Sequence, residues 1–354
     1  MRILYLIHTD WCWIKQRSQF LAEELAKKND IFVVTKFSPR RTNLVVSKRP
    51  SYCISLPFLP FQIRSLRVLA RIDEVIFASI FKRWNVIRQF DLIIVTHPLL
   101  ARYAMWHANM IYDLHDDNAN FYPVESFLHE YIRKRNKEAL HKARLVVFSS
   151  SYLQTKFTAE TQCSTIVRNG HNISLRPKKS FSPTPDIAKK IFYFGTVSSW
   201  FDQRLLLHSL ERAIRVEYHV IGPIDISRVA HKRIKWYGPL PHLTMLNLCS
   251  DADAFVMPFR ITPLIKGVDP VKLYEYIAFG QPIITMYYSE VARFAPFVYF
   301  YHNVDEYHTL IKRLEVNDLP PKGEKKQVED FLHNSSWSVR AREMIDGIRK
   351  RIQQ

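Results

Sequence analysis

Between Asp269 and Pro282 the chain reads DPVKLYEYIAFGQP, a short helix whose beginning carries chemistry. Asp269 is a good N-cap, Pro270 suits the first helical position, and Gly280 supplies a left-handed stop before an apolar strand. Lys272 and Glu275 stand i,i+3 and share a face, while Val271, Tyr274, Ile277 and Ala278 can pack behind it. Backbone amides at a helix start attract anions, and a lysine in the first turn adds a charge for phosphate. A carboxylate one turn later can accept both hydroxyl hydrogens of a ribose. Those types at that spacing suit a nucleoside diphosphate; a capped helix with a solvated ion pair is the plainer alternative.

Other residues point the same way. The run Phe192 to Asp202, FYFGTVSSWFD, reads as a strand entering a small-residue turn and then a helix near Asp202. Gly195 lets the backbone approach a ligand, and Thr196 offers a hydroxyl to a diphosphate. Arg260 follows another apolar strand and, with Lys266, places cations ahead of the Lys272 helix, while Tyr237 can pack on a base. In the first half, Asp113-Leu114-His115-Asp116-Asp117 follows a buried strand. Crowded carboxylates raise one another's affinity for protons, which suits a general base. Asp116 is the first choice, with Asp117 and Asp113 behind it. A metal site is the rival, but the run lacks the ligand spacing or distant partners of one. Finally, Arg64, Arg67 and Arg71 recur at i, i+3 and i+7, followed by Trp84, a basic face with aromatics that suits an anionic membrane surface or a domain helix with a solvated face.

Elements must hold these groups in place. Short apolar strands alternate with helical segments from the first residue, the pattern of parallel sheets covered by helices, so the fold class is α/β. Strands are expected at 2–7, 30–35, 91–96, 110–112, 145–148 and 165–167, then at 191–194, 217–221, 234–236, 254–257 and 282–285. Residues 168 to 190 carry three prolines, serines and basic residues without apolar periodicity, a linker composition. The expected organisation is 1–170 as a first Rossmann-like domain, 171–188 as linker, 189–337 as a second, and 338–354 as an amphipathic basic helix returning to the first. With 354 residues, 47% of them hydrophobic, two cores are affordable. Doubly wound sheets bind ligands beyond the carboxyl ends of their strands, so two of them facing each other make one cleft.

Composition narrows the classes further. A formal charge of +18 attracts something anionic: a phosphorylated ligand, nucleic acid or a membrane. There is no GxGxxG among only eight glycines and no P-loop pattern, which counts against a dinucleotide oxidoreductase. Four scattered cysteines without CxxC spacing, and a start unlike a signal peptide, suit a reducing cytoplasmic setting. No apolar run is long enough to span a bilayer, so membrane association is expected to be peripheral.

Taken together, the motifs resemble GT-B fold glycosyltransferases of the bacterial exopolysaccharide, capsule and teichuronic acid type, over nearly the whole chain. FYFGTVSSWFD resembles that group's GxIxxWFD element, VRNGHN its PNGVD interdomain strand end, and DPVKLYEYIAFGQPII its PxKLYEYLAxGKPVV element. The resemblance implies two Rossmann-like domains facing a cleft. The second binds a nucleotide-sugar donor, a UDP-sugar here, and the first binds the acceptor, a lipid-linked oligosaccharide. It implies no cofactor and no essential bound metal, and a place at the cytoplasmic face of the inner membrane. By resemblance Gly195, Thr196 and Arg260 meet the diphosphate, Lys272 and Leu273 lie near it, Glu275 meets the ribose and Tyr237 the base.

One departure bears on stereochemistry. Many retaining relatives carry a glutamate eight positions before the one matching Glu275, and here that position is Gly267. This favours inversion, with an aspartate deprotonating the acceptor hydroxyl for in-line displacement of the nucleoside diphosphate. A retaining transferase is the alternative within the class. A nucleic-acid-binding protein is the alternative outside it; it rests on charge alone, and no nucleic acid is expected as a partner.

Overall fold

A computed structural model of the chain describes residues 1–37, 48–60, 66–175 and 188–352. Arg64, and residues 176–187 of the expected linker, lie outside the described residues. The described residues form two compact units. One is drawn from 1–170, 267–269 and 337–354, the other from 171–266 and 270–336.

The first unit holds β1 (Arg2–Ile7), β2 (Asp30–Lys36), β3 (Cys53–Leu56), β4 (Leu92–Val95), β5 (Met110–Leu114), β6 (Leu145–Phe148) and β7 (Ser164–Ile166). They pair in the order β3-β2-β1-β4-β5-β6-β7, every ladder parallel. The second holds β8 (Lys189–Phe194), β9 (Val216–Ile221), β10 (Ile234–Gly238), β11 (Ala254–Met257), β12 (Ile283–Met286) and β13 (Tyr299–Tyr301), in the order β10-β9-β8-β11-β12-β13, again all parallel. A parallel sheet needs helices on both faces, so its strands are buried on both; Ile3 to Ile7 and Leu92 to Val95 are fully enclosed, as near-continuous apolar runs require. Strand order reverses between β1 and β4 in one sheet and between β8 and β11 in the other. Those are the places where such sheets open a crevice beyond their carboxyl ends.

Two strands were not expected. Both lie at sheet edges: β3 has four residues and β13 three. An edge strand pairs on one side only and is half exposed, so its sequence carries little periodicity.

The last helix, Trp337–Ile352, belongs to the first unit. The Trp337 ring stacks on Phe20 at 5.3 Å and 8°, and the Arg340 guanidinium donates to the Asn169 carbonyl at 3.0 Å.

Helix Arg67–Arg88 buries Ala70, Phe77 and Phe81 against this sheet and exposes Val68, Ile72, Val75 and Ile76, which recur at i, i+4, i+7 and i+8. Arg67 and Arg71 are exposed on it. Trp84 is half-buried, its ring packing edge-on to Phe32 at 5.5 Å and against Phe81 at 5.4 Å, which ties the helix to the core.

Candidate active site

In the second unit, β8 ends at Gly195, whose φ of +134° is a conformation that side-chain-bearing residues rarely adopt. A Cβ there would fall 1.9 Å from the Lys272 Cε. The lysine stem therefore lies directly over the glycine, and its ammonium stands 5.6 Å from the centre of the Tyr193 ring and 5.3 Å from that of Phe259. Two aromatic faces hold a half-buried cation beside a strand end whose backbone is bare. Tyr276 fastens the helix carrying Lys272 to that strand, its hydroxyl accepting from the Phe194 amide at 3.2 Å.

That helix spans Val271–Ile277, seven residues, with Pro270 at the N-cap and no side-chain cap. The expected cap, Asp269, is a correction. Its carboxylate accepts from the Asn169 amide at 2.6 Å and its carbonyl from the Asn169 side chain at 2.6 Å, within the first unit. A short helix has a weak dipole, so the cation and the glycine, more than the amides, make this end suit an anion. Gly280 does end the helix region as expected, at φ +63°.

The remaining donor-side residues divide. Glu275 is nearly buried and its carboxylate meets His242 Nε2 at 3.2 Å. Arg260 pairs at 3.0 Å with Asp202, the residue whose side chain caps helix Gln203–Arg212. The guanidinium is thereby tethered with donors to spare. Thr196 is half-buried, its carbonyl accepting from the Tyr193 hydroxyl at 2.7 Å. Tyr237 ends a stack of rings: Phe192 lies 4.4 Å from His219, and His219 5.7 Å from Tyr237, both nearly parallel. The Tyr237 hydroxyl meets His219 Nδ1 at 2.8 Å and its ring is 36% exposed, which leaves a face for a flat ligand. Burial holds His219 below the usual histidine range, against the opposing pull of Glu217. Leu273 is a correction: its side chain is fully buried and its amide donates to the Pro270 carbonyl at 3.1 Å, so it serves the core.

In the first unit, the acid run separates into three environments. Asp113, on β5, is fully buried, and Arg17 grips both its oxygens, with Nη2 to Oδ1 at 2.9 Å and Nε to Oδ2 at 3.2 Å. Arg17 also donates to the Asn169 side chain at 3.1 Å, and so joins Asp113 to the residue that holds Asp269. Asp117 is nearly buried, with Lys156 at 2.5 Å and the Asn120 side chain at 2.7 Å. A buried carboxylate whose oxygens are engaged this way stabilises structure; as bases, Asp113 and Asp117 are corrections. Asp116 keeps 29% of its side chain exposed, with His115 Nε2 3.8 Å from its carboxylate.

Two histidines that sequence reasoning missed, His8 and His97, join His115 of the acid run. His8 follows β1, His97 lies just past β4 and His115 follows β5; the His8 ring is 5.1 Å from His97 and 5.8 Å from His115. The signal was there: each stands within two residues of a strand's carboxyl end, beside the β1/β4 reversal. His97 Nδ1 accepts from the Leu99 amide at 3.2 Å, and His115 Nδ1 lies 3.3 Å from the Asp113 carbonyl. Since a carbonyl only accepts, that contact puts the His115 proton on Nδ1 and leaves a lone pair on Nε2. Among the described residues no three His, Cys, Asp or Glu side chains are arranged to hold a metal ion.

Gly267, where retaining relatives carry glutamate, is closed. A Cβ there would meet Leu153 Cδ2 at 2.9 Å and Tyr152 Cδ1 at 3.4 Å, and its carbonyl accepts from the Ser150 hydroxyl at 2.8 Å.

No protein-family model matches the chain. TuaH of Bacillus subtilis (strain 168), whose name assigns it to teichuronic acid biosynthesis as a glycosyltransferase, is 25% identical over 228 residues, 58% of this chain and 57% of TuaH. Similarity therefore spans a little over half the length of that relative. The sucrose-phosphate synthase structure from Thermosynechococcus elongatus matches 99% of each chain at a TM-score of 0.71 and 15% identity. Anabaena HepE, solved with UDP and glucose, matches 99% of this chain and all of its own at 0.69 and 13%. At such identities the likeness speaks to architecture: the chain has the α/β fold of the GT-B glycosyltransferases, and it is homologous to TuaH over the matched region.

Proposed function

We propose that the chain is a glycosyltransferase of cell-surface polysaccharide synthesis, moving a sugar from a nucleotide-sugar to a lipid-linked saccharide with inversion at the anomeric carbon. The second unit takes the donor and the first the acceptor. The observation that carries this is the Lys272 ammonium on its aromatic shelf over Gly195, a half-buried cation at the end of β8. HepE, solved with UDP, supports a UDP-sugar, and the name of TuaH supports the polymer class.

In the proposed step the Asp116 carboxylate takes the proton of an acceptor hydroxyl. The hydroxyl oxygen attacks the anomeric carbon opposite the diphosphate, the bond from that carbon to the phosphate oxygen breaks, and the nucleoside diphosphate leaves with the electron pair. Lys272 and Arg260 receive the developing charge. His115 is a second candidate for the base, favoured by an Nε2 that carries the lone pair; Asp116 at 3.8 Å would then stabilise the imidazolium. Inversion is supported by the packed Gly267 and by the engagement of Asp269 with Asn169, which leave no carboxylate of that segment for the donor face. The exposed apolar stripe and the arginines of helix Arg67–Arg88 support docking on an anionic membrane, at the cytoplasmic face of the inner membrane. No helix among the described residues is long and apolar enough to cross one.

A thermal-shift panel of nucleotide sugars tests the proposal: a UDP-sugar should raise the melting temperature, and NMR of the product should show the inverted anomer. Stabilisation by no nucleotide sugar would refute the transferase reading, and a retained anomer would refute the mechanism.

A further inference from the structure

A second concave feature lies in the first unit, apart from the strand ends. Helices Arg67–Arg88 and Phe127–Lys142 wall a groove of about 680 Å³. Five cations line it, Arg67, Arg71, Arg102, Lys134 and Arg135, against two carboxylates, Glu74 and Glu130. The carboxylates are committed. Glu74 holds Arg102 at 3.1 Å, and Glu130 holds Arg133 at 2.8 Å. Glu138 braces Arg102 at 3.3 Å and Arg135 at 2.8 Å, and the Arg135 guanidinium lies 5.0 Å from the centre of the Tyr131 ring. Two guanidinium groups are thus fixed in place, and Arg67, Arg71 and Lys134 add charge at the rim.

The lips are apolar. Along one, Val75 is exposed beside Ala78; along the other stands Phe127, with Val75 and Phe127 at 59% and 43% exposure. Eleven of the nineteen large apolar side chains exposed among the described residues fall between Leu66 and Ile87 or between Phe121 and Phe127. A cationic floor between apolar lips fits an amphiphile that carries phosphate next to hydrocarbon, and fits a free sugar or a nucleic-acid backbone poorly. The groove is also tied to the acid run, because His129, on its second wall, meets the carbonyl of Ala119, just past Asp116 and Asp117, at 3.0 Å.

We propose that this groove binds the diphosphate of the lipid-linked acceptor, with the lipid leaving between the two apolar lips. Arg71 and Lys134 contact the diphosphate, Arg102 and Arg135 complete its charge balance, and Val75 and Phe127 face the hydrocarbon. This rests on the reading of the chain as a transferase with a lipid-linked acceptor.

The test is calorimetric titration of the full chain with farnesyl diphosphate, with UDP at saturation so that the donor end is filled. The wild-type chain should bind. Arg71→Gln with Lys134→Gln should weaken binding at least tenfold, while Arg349→Gln with Lys350→Gln, on the last helix, should leave it unchanged. Val75→Ser with Phe127→Ser keeps every cation, and should weaken farnesyl diphosphate while leaving inorganic pyrophosphate as it was. Equal binding by the wild-type chain and the Arg71/Lys134 variant overturns the site. Inorganic pyrophosphate binding as tightly as farnesyl diphosphate overturns the amphiphile and leaves a soluble-anion site. UDP binding separates the two failures: if UDP binds and groove-dependent binding is absent, only the groove is wrong, whereas a chain that binds neither loses the transferase reading as well.

Discussion

The Gly195–Lys272 contact makes a prediction that simple removal of a charge does not. Lys272→Ala deletes one charge-assisted contact to the diphosphate, worth about 1.5–3 kcal/mol, or roughly 10- to 150-fold in UDP affinity. Gly195→Ala changes no charge, yet its Cβ would stand 1.9 Å from the Lys272 Cε and 2.8 Å from the Nζ, inside the volume the lysine occupies. The side chain must leave its shelf over Tyr193 and Phe259, so the ammonium is lost from the site without being lost from the sequence. Gly195→Ala should therefore weaken UDP binding by a similar factor. It should also cost stability, about 1–3 kcal/mol, because φ +134° suits only glycine. In the double variant the steric conflict is gone, so UDP affinity should be no worse than in the weaker single variant. The coupling free energy would be about as large as either single loss. Isothermal titration with UDP measures all four corners of the cycle. Additive losses, with the double variant roughly 10- to 150-fold below either single, would refute the claim that the glycine acts by seating the lysine; a single Lys272→Ala variant of wild-type affinity would remove Lys272 from the donor site.

Other consequences follow from the same geometry. Asp116→Asn should abolish transfer with UDP affinity unchanged, whereas Asp117→Asn, whose partner is Lys156, should lower stability more than turnover; transfer surviving in Asp116→Asn would shift the base to His115. Arg17→Met leaves a fully buried Asp113 carboxylate without its counter-ion and should cost about 3–5 kcal/mol in denaturant unfolding, while Arg17→Met with Asp113→Leu should recover much of that. For pH, burial depresses His219 and His308 below the usual histidine value, so the unfolded chain binds more protons than the folded one. Their contribution to stability is then present above the unfolded value near 6.5 and lost as pH falls below it. Glu217 and Glu315, held low, lose theirs only in the more acidic carboxylate range. A melting-temperature profile should fall between about pH 7 and 5, and His219→Gln should flatten it; a drop of equal size in that variant would exclude His219.

How much of this was legible in the sequence depends on the distance over which each feature is decided. The strands β1, β4, β8 and β11 were readable because a strand buried on both faces must be apolar throughout, a property of consecutive residues. Lys272 and Gly195 were readable separately, one from a helix start and the other from a turn, and the fold supplied their contact across 77 positions of chain. The acid run was readable as a cluster and not as a site. Which of three neighbouring aspartates is engaged elsewhere is decided by Arg17, 96 positions before Asp113, and by Lys156, 39 after Asp117. No local pattern carries that information. Asp269 shows the same limit from the other side: local rules make it a cap, because aspartate before proline at a helix start is the common arrangement. Asn169 offers it two hydrogen bonds inside the first unit, at 2.6 Å each, and Arg17 in turn holds Asn169. A cap is worth about 1 kcal/mol, while a buried network that satisfies a carboxylate, an amide and a guanidinium together avoids several times that in unmet desolvation. The long-range alternative therefore wins, and the Lys272 helix starts without a side-chain cap.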